Sequence, residues 1–308
     1  MKKKLFIFGV GSLTGSKLAI LAKNDFEVFG SFNLRCPNLD FIKSAQLDIK
    51  NFKKAKELLS TTNPDFVVNT CAINNVDYCE NHREESKLIN TDFVENIVNV
   101  VDSLGSKLIH LSSDSVFDGK KELPYVEEDF PKPINFYGYT KMLSEQYVLK
   151  NTKNLIVRVS VLYGWLIKSL QDKPSSSMKA ENFGMWVIKK LIAQENIKII
   201  TDEYSSPIIS DDFAKVILHL IKGNYAGIYH AAPPIKINRY EFALEIAKKL
   251  DLNSNLILPV TAKELGRKVD TGINKCLDST KVSKTKFKFM SLADSLKLLK
   301  HQMFEGST

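Results

Sequence analysis

Tyr137 and Lys141 stand four residues apart in Tyr137-Gly138-Tyr139-Thr140-Lys141, on a stretch patterned as a helix. That spacing puts both side chains on one helix face. An ammonium beside a phenol favours the phenolate, so Lys141 is expected to lower the pKa of Tyr137 and make it a proton donor or acceptor near neutral pH. A second group, Ser112-Ser113-Asp114-Ser115, follows an apolar run. A serine there can hydrogen-bond a substrate carbonyl while Tyr137 delivers a proton. The third group is Gly9-Val10-Gly11-Ser12-Leu13-Thr14-Gly15. Between a strand and a helix, such a turn lets backbone approach a pyrophosphate, and the helix N-terminus offers unpaired N–H groups. Its spacing is imperfect: Ser12 replaces the middle glycine of one pattern, and Gly15 arrives one residue late for the other.

The end of the second strand speaks to the nucleotide. A site for NAD usually has Asp or Glu there to hold the ribose hydroxyls. This chain has Gly30-Ser31-Phe32-Asn33-Leu34-Arg35 and no carboxylate. Arg35 suits a 2′-phosphate, so NADP(H) is the favoured cofactor and NAD(H) the alternative.

These residues need a scaffold, and the hydropathy pattern supplies one. Runs at Lys4–Phe8, Glu27–Ser31, Ala45–Leu47, Phe66–Asn69, Lys107–Leu111 and Leu155–Val159 read as strands. They are short, apolar and almost without alternation, as in a parallel sheet covered on both faces. Between them lie helical patterns at Leu13–Lys23, Phe52–Leu59, Glu84–Leu104 and Asn135–Lys150, the third closed by Gly105. The expected class is α/β, a doubly wound parallel Rossmann sheet with right-handed crossovers. It is followed by a smaller C-terminal α/β substrate-binding domain. Residues 1–165 form the nucleotide-binding part, completed by parts of 195–231, and 166–308 the smaller one. Helices are expected at Phe183–Ala193, Asp211–Lys222, Arg239–Lys249 and Leu292–His301, and strands at Lys198–Ile200 and Gly227–His230. Ser169–Asn182, with Pro174-Ser175-Ser176-Ser177, reads as a mobile loop.

Composition narrows the classes. The chain has 308 residues, 44% hydrophobic and 25% charged, which excludes whole-chain disorder. Its net charge of +8 is dispersed, without the blocks that signal a nucleic-acid partner. No run approaches the roughly 20 apolar residues that cross a bilayer. The apolar run after Met1-Lys2-Lys3-Lys4 stops too soon for an export segment. Cys36, Cys71, Cys79 and Cys276 form no C-x-x-C pair and read as reduced cytoplasmic thiols. His82, His110, His219, His230 and His301 show no metal-ligand spacing, so no metal is expected; His110 and His230 read as packed strand residues. Glu127-Glu128-Asp129 reads as a solvated loop, and Phe183, Trp186 and Phe242 as helix packing.

Taken together, these stretches resemble the extended short-chain dehydrogenase/reductases. Ser112–Gly119 (SSDSVFDG), Asn135–Lys141 (NFYGYTK), Thr201–Pro207 (TDEYSSP) and Gly227–Ala243 are most similar to the dTDP-4-dehydrorhamnose reductase family. The resemblance runs from Leu5 to about Lys297. It implies an NAD(P)H-dependent reductase of a nucleotide-linked 4-keto-6-deoxy sugar. Tyr137 would then be the general acid, Lys141 would bind the nicotinamide ribose and tune Tyr137, and Ser113 would orient the keto oxygen. Gly9, Gly11, Ser12, Leu13 and Thr14 would line the pyrophosphate, with Ser31 and Arg35 at the end of the second strand. Asp48 and Ile49 would flank the adenine, and Cys71, Ala72 and Ile73 would pass beneath the cofactor. Asn90 matches a position that supports the strand ends beside it. The family's usual tyrosine is Ser115 here, its tryptophan Val161, and its Arg-Pro Thr271-Gly272, so sugar recognition is rebuilt. Arg267, Lys268 and Lys275 are left as diphosphate partners. The resemblance keeps two alternatives open. One is a nucleotide-sugar epimerase or dehydratase. The other is a non-catalytic dinucleotide-binding subunit like the regulatory beta subunit of methionine adenosyltransferase. A homodimer through Glu84–Leu104 and Asn135–Lys150 is the expected assembly.

Overall fold

The computed structural model describes residues 1–175 and 181–304. Six short strands of the first half, β1 (Lys3–Phe8), β2 (Phe26–Phe32), β3 (Ile42–Gln46), β4 (Phe66–Asn69), β5 (Lys107–Ser113) and β6 (Leu155–Val159), join Gly227–Ala231 in one parallel sheet. Its order is Gly227–Ala231, β6, β5, β4, β1, β2, β3. The winding reverses between β1 and β4, which opens a crevice at the carboxyl ends of those strands.

Helices cover both faces. The helix α1 (Leu13–Ala22) and the helix Ser210–Lys222 enclose one apolar cluster with Leu5, Ile7, Val28 and Phe213. On the other face α2 (Phe52–Thr62) packs Ala55 and Leu59 with Phe6, Phe8, Phe93 and Ile97. Each fully buried Leu or Ile contributes roughly 1.5–3 kcal/mol of transfer free energy, which explains the wholly apolar runs Leu5–Phe8 in β1 and Phe66–Val68 in β4. A third cluster lies outside the sheet. It joins the helices Phe183–Ile192, Arg239–Lys249 and Leu292–Phe304 to the paired strands Ile197–Ile200 and Ile257–Val260. Among the described residues, no helix is long and apolar enough to cross a membrane.

Several expectations shift. A short helix, α3 (Val76–Asn81), was not read from the sequence. The long helix expected at Glu84–Leu104 is three pieces: α4 (Arg83–Lys87), a π-helical turn at Leu88–Asp92, and α5 (Phe93–Ser103). The wider turn swings Asn90 and Thr91 inward to bond Thr140 of α6 (Phe136–Val148). β5 runs two residues beyond its expected end, because Ser112 and Ser113 still pair with Arg158 and Val159. The two serines therefore close the strand instead of following it. Ser169 begins no loop: Lys168–Gln171 is a helical turn that buries Leu170 against Leu166, Ile167 and Met185. Residues 176–180 of that expected loop lie outside the described residues. Glu127 is not solvated either. It is buried, and its Oε1 accepts the His230 amide at 2.9 Å.

Candidate active site

A cleft of about 690 Å³ runs along the carboxyl ends of the sheet strands. At one wall, Ser12 caps α1 by accepting the Gly15 amide at 2.9 Å, so the first turn of the helix faces the cleft. Gly9, Gly11, Ser12, Leu13 and Thr14 all line it. At Gly11 a Cβ would meet the Arg35 carbonyl oxygen at 2.0 Å, so any larger residue would push the turn and the β2 end apart. Ser31 and Arg35 line the same end, and Arg35 Nε donates to the Lys173 carbonyl at 2.9 Å. Asp48 and Ile49 edge it after β3, while Cys71, Ala72 and Ile73 form its floor after β4. Burial pushes the Cys71 thiol up to about 12, which makes it a neutral wall residue and no nucleophile.

Asn90 is placed differently from the other expected contacts. It lies behind the wall, absent from the lining, and bonds both backbone groups of Ile73. Its Oδ1 accepts the amide at 2.8 Å and its Nδ2 donates to the carbonyl at 3.0 Å. Its work is to hold the floor to α6.

Ser113, Tyr137 and Lys141 meet in the middle of the cleft. Asn135 caps α6 by accepting the Gly138 amide at 2.9 Å. Gly138 lets α6 press against the turn at Asp114–Val116, since a Cβ there would lie 1.9 Å from the Ser115 carbonyl oxygen. This contact sets Tyr137 beside the Ser113 hydroxyl. Asp114 gathers three hydroxyls: Ser113 and Ser115 donate to Oδ1 at 3.0 and 3.2 Å, and Ser160 to Oδ2 at 2.7 Å.

The expected phenol–ammonium coupling is not what the site contains. Burial pushes the Tyr137 phenol up, Asp114 adds to the rise, and only the Ser113 hydroxyl pulls it down. Lys141 turns its Nζ to His110 Nε2, 3.0 Å away. Burial brings Lys141 down to about 8, opposed by the Glu145 carboxylate. Tyr137 is therefore a protonated phenol at neutral pH, ready to give a proton rather than to take one.

Beyond Tyr137 the second half of the chain supplies charge. Arg239, Arg267 and Lys275 line the cleft together with Glu203. Arg267 pairs with Glu203 and donates to Thr271 Oγ1 at 2.9 Å. Lys268 is not part of the lining. Ser115, Val161 and Thr271 stand in the wall. Sequence reading missed Arg239. The signal was the capping box Asn238…Glu241, which fixes a helix start and puts Arg239 at its first position. Ser112, already named from the sequence beside Ser113, is buried, and its Oγ has no hydrogen-bond partner. With the close glycine turn and the open first turn of α1, the residues fit a dinucleotide. Among the described residues, no three His, Cys, Asp or Glu gather to hold a metal.

The RmlD substrate binding domain family matches residues 3–303. This chain belongs to that family. It is 28% identical to a probable low-salt glycan biosynthesis reductase of Haloferax volcanii, over 90% of each chain. It is 30% identical to the dTDP-4-dehydrorhamnose reductase of Escherichia coli, over 70% of this chain and 72% of that one. The dTDP-4-dehydrorhamnose reductase of Bacillus anthracis, solved in complex with NADP, superposes with a TM-score of 0.84 at 26% identity, over 97% and 99% of the two chains. A methionine adenosyltransferase 2 subunit beta of Xenopus tropicalis is 29% identical over 85% of this chain and 76% of its own. The family resemblance and the α/β Rossmann-like fold read from the sequence are both borne out.

Proposed function

We propose that this chain is an NAD(P)H-dependent reductase of a nucleotide-linked 4-keto-6-deoxy sugar, with NADP(H) favoured. The observation that carries the reading is the meeting of Ser113, Tyr137 and Lys141 in one cleft with the glycine turn at its end. The reductases of the family make the same chemistry the first expectation, and an NADP complex of a similar fold supports the cofactor.

When bound, the nicotinamide would supply the hydride that reduces the carbonyl carbon. The chain's own residues do the rest. Gly9, Gly11 and the first turn of α1 take the pyrophosphate, Arg35 the ribose 2′-phosphate, and Asp48 and Ile49 the adenine edge. Ser113 hydrogen-bonds the keto oxygen, and Tyr137 gives that oxygen its proton as the carbonyl becomes an alcohol. Lys141 holds the nicotinamide ribose. Arg239, Lys275 and Arg267 face the diphosphate of the sugar nucleotide, which replaces part of the charge Glu203 and Asp114 now balance.

The test is NADPH oxidation on offering a 4-keto-6-deoxy sugar nucleotide, with Tyr137→Phe beside the parent chain. The variant should lose at least about 100-fold in kcat, the low end of a general acid's contribution, and keep its affinity for NADPH. Near-normal turnover in Tyr137→Phe removes the assigned acid. Tight NADPH binding with no oxidation by any such substrate turns the reading towards a non-catalytic module like the beta subunits.

A further inference from the structure

His110 sits on β5, fully buried and outside the cleft lining, yet its ring touches three polar side chains. Nδ1 is 3.4 Å from Asn69 Nδ2, and Nε2 is 3.0 Å from both Ser144 Oγ and Lys141 Nζ. A neutral imidazole carries one proton, so one ring nitrogen donates and the other accepts.

Two independent neighbours choose which. Asn69 Oδ1 accepts the Cys71 amide at 3.0 Å, so this end of the side chain is the oxygen and the other, towards His110, is the NH2. An NH2 facing Nδ1 requires Nδ1 to accept. On the far side, Ser144 Oγ gives its only proton to the Lys141 carbonyl at 2.7 Å. Towards His110 it can only accept, which requires a proton on Nε2. Both neighbours select the Nε2–H form. Protonation of both nitrogens is disfavoured by burial and by Lys141, which hold His110 well below the usual histidine range.

We propose that His110 is a positioning residue whose one Nε2–H, shared between Ser144 Oγ and Lys141 Nζ, offers the lysine no acceptor on this side, so that the lysine meets it as a neutral amine and turns its protons, when charged, to the cleft. The titratable groups that act on this pair are Glu145 on α6 and Cys71 after β4, with Arg158 on β6 set against Glu145. Arg158 is itself engaged by Glu145 at 2.7 and 2.9 Å, which limits the carboxylate's pull on Lys141. Burial and the N–H of His110 act in the same direction, and Lys141 sits at about 8. A lysine near that value can exchange a proton with the ribose hydroxyls and with Tyr137 at physiological pH.

The inference rests on the reading of Lys141 as a site residue, but its test uses the free protein and no substrate. Nitrogen-15 NMR of labelled histidine in the parent chain should show His110 neutral as Nε2–H. A proton on Nδ1 overturns the proposal without any variant being made. Carbon-13 NMR of the lysine ε-carbons should then follow Lys141 through its titration. In His110→Leu the midpoint should move up by roughly one pH unit, about tenfold in acidity. His110→Gln, which can offer an amide N–H near the same place, should bring it back. A midpoint unchanged in His110→Leu, with NADPH affinity retained as proof of folding, rejects the role. Absence of reductase activity alone would remove the proposed reaction and leave this result standing.

Discussion

Burial acts on Tyr137 and Lys141 in opposite directions, raising the phenol and lowering the amine, because it penalises whichever form is charged. Both shifts suit the proposed reduction, in which the phenol would deliver a proton and the lysine would replenish it. The amine's shift also carries a stability consequence. Its folded pKa, about 8, lies below the ordinary value of 10.5, so the unfolded chain binds more protons between those two values. Stability therefore rises with pH across that window as the folded-state penalty is relieved. Lys141→Met, which packs a similar length without charge, should stabilise the free protein by about 1–3 kcal/mol at pH 7. The gain should shrink as pH rises from 8 towards 10.5, and turnover should collapse. Urea denaturation at pH 7 and pH 10 checks this; a gain that grows with pH contradicts the assigned shift.

At the scale of elements, the π-helical turn Leu88–Asp92 ties the cleft floor after β4 to α6, which carries Tyr137 and Lys141. It adds the extra residue that turns Asn90 towards Ile73 and Thr140, and Thr91 towards the Thr140 carbonyl. Removing Asn90 leaves the Ile73 amide without its partner and the Ile73 carbonyl with only the Cys79 thiol. Asn90→Ala should cost about 1–3 kcal/mol of stability. It should also weaken NADPH binding while leaving the sugar-nucleotide KM nearly unchanged. Thermal unfolding and a cofactor titration measure the two effects, and equal loss for both ligands would place Asn90 elsewhere in the machinery. α6 depends on a comparable close approach at Gly138, where backbone contact with Ser115 sets how deep Tyr137 sits.

At the scale of the molecule, the cleft belongs to both halves of the chain. The strand Gly227–Ala231 completes the sheet beside β6, and the helix Ser210–Lys222 covers α1. Helix Arg239–Lys249 brings Arg239 over the far end, its guanidinium 5.0 Å above the Phe183 ring. Three cations against Glu203 and Asp114 leave room for an anionic ligand. Arg239→Ala should raise the KM for the sugar nucleotide roughly 10- to 100-fold, the worth of one charge-assisted hydrogen bond. NADPH affinity should not change, because the pyrophosphate turn is on the opposite wall. A matching loss of NADPH affinity would show that Arg239 serves the cofactor instead.

The sequence alone determined most strands of the main sheet and the placing of Tyr137 and Lys141 on one helix, since these follow from local apolar runs, caps and i, i+4 spacing. β4, β6 and Arg239–Lys249 fall where the pattern puts them. Other features depend on what packs across space, and only the tertiary structure decided them. The π-helical turn answers to Thr140, fifty residues on. Glu127 is buried because His230 needs an acceptor. Arg239 joins the cleft because its helix docks through Phe242 and Ile246 onto the apolar cluster outside the sheet. The raised phenol of Tyr137 departs from the sequence expectation for the same reason. Spacing tells which groups share a face, but burial and the neighbouring His110, set by the whole fold, decide where their protons lie.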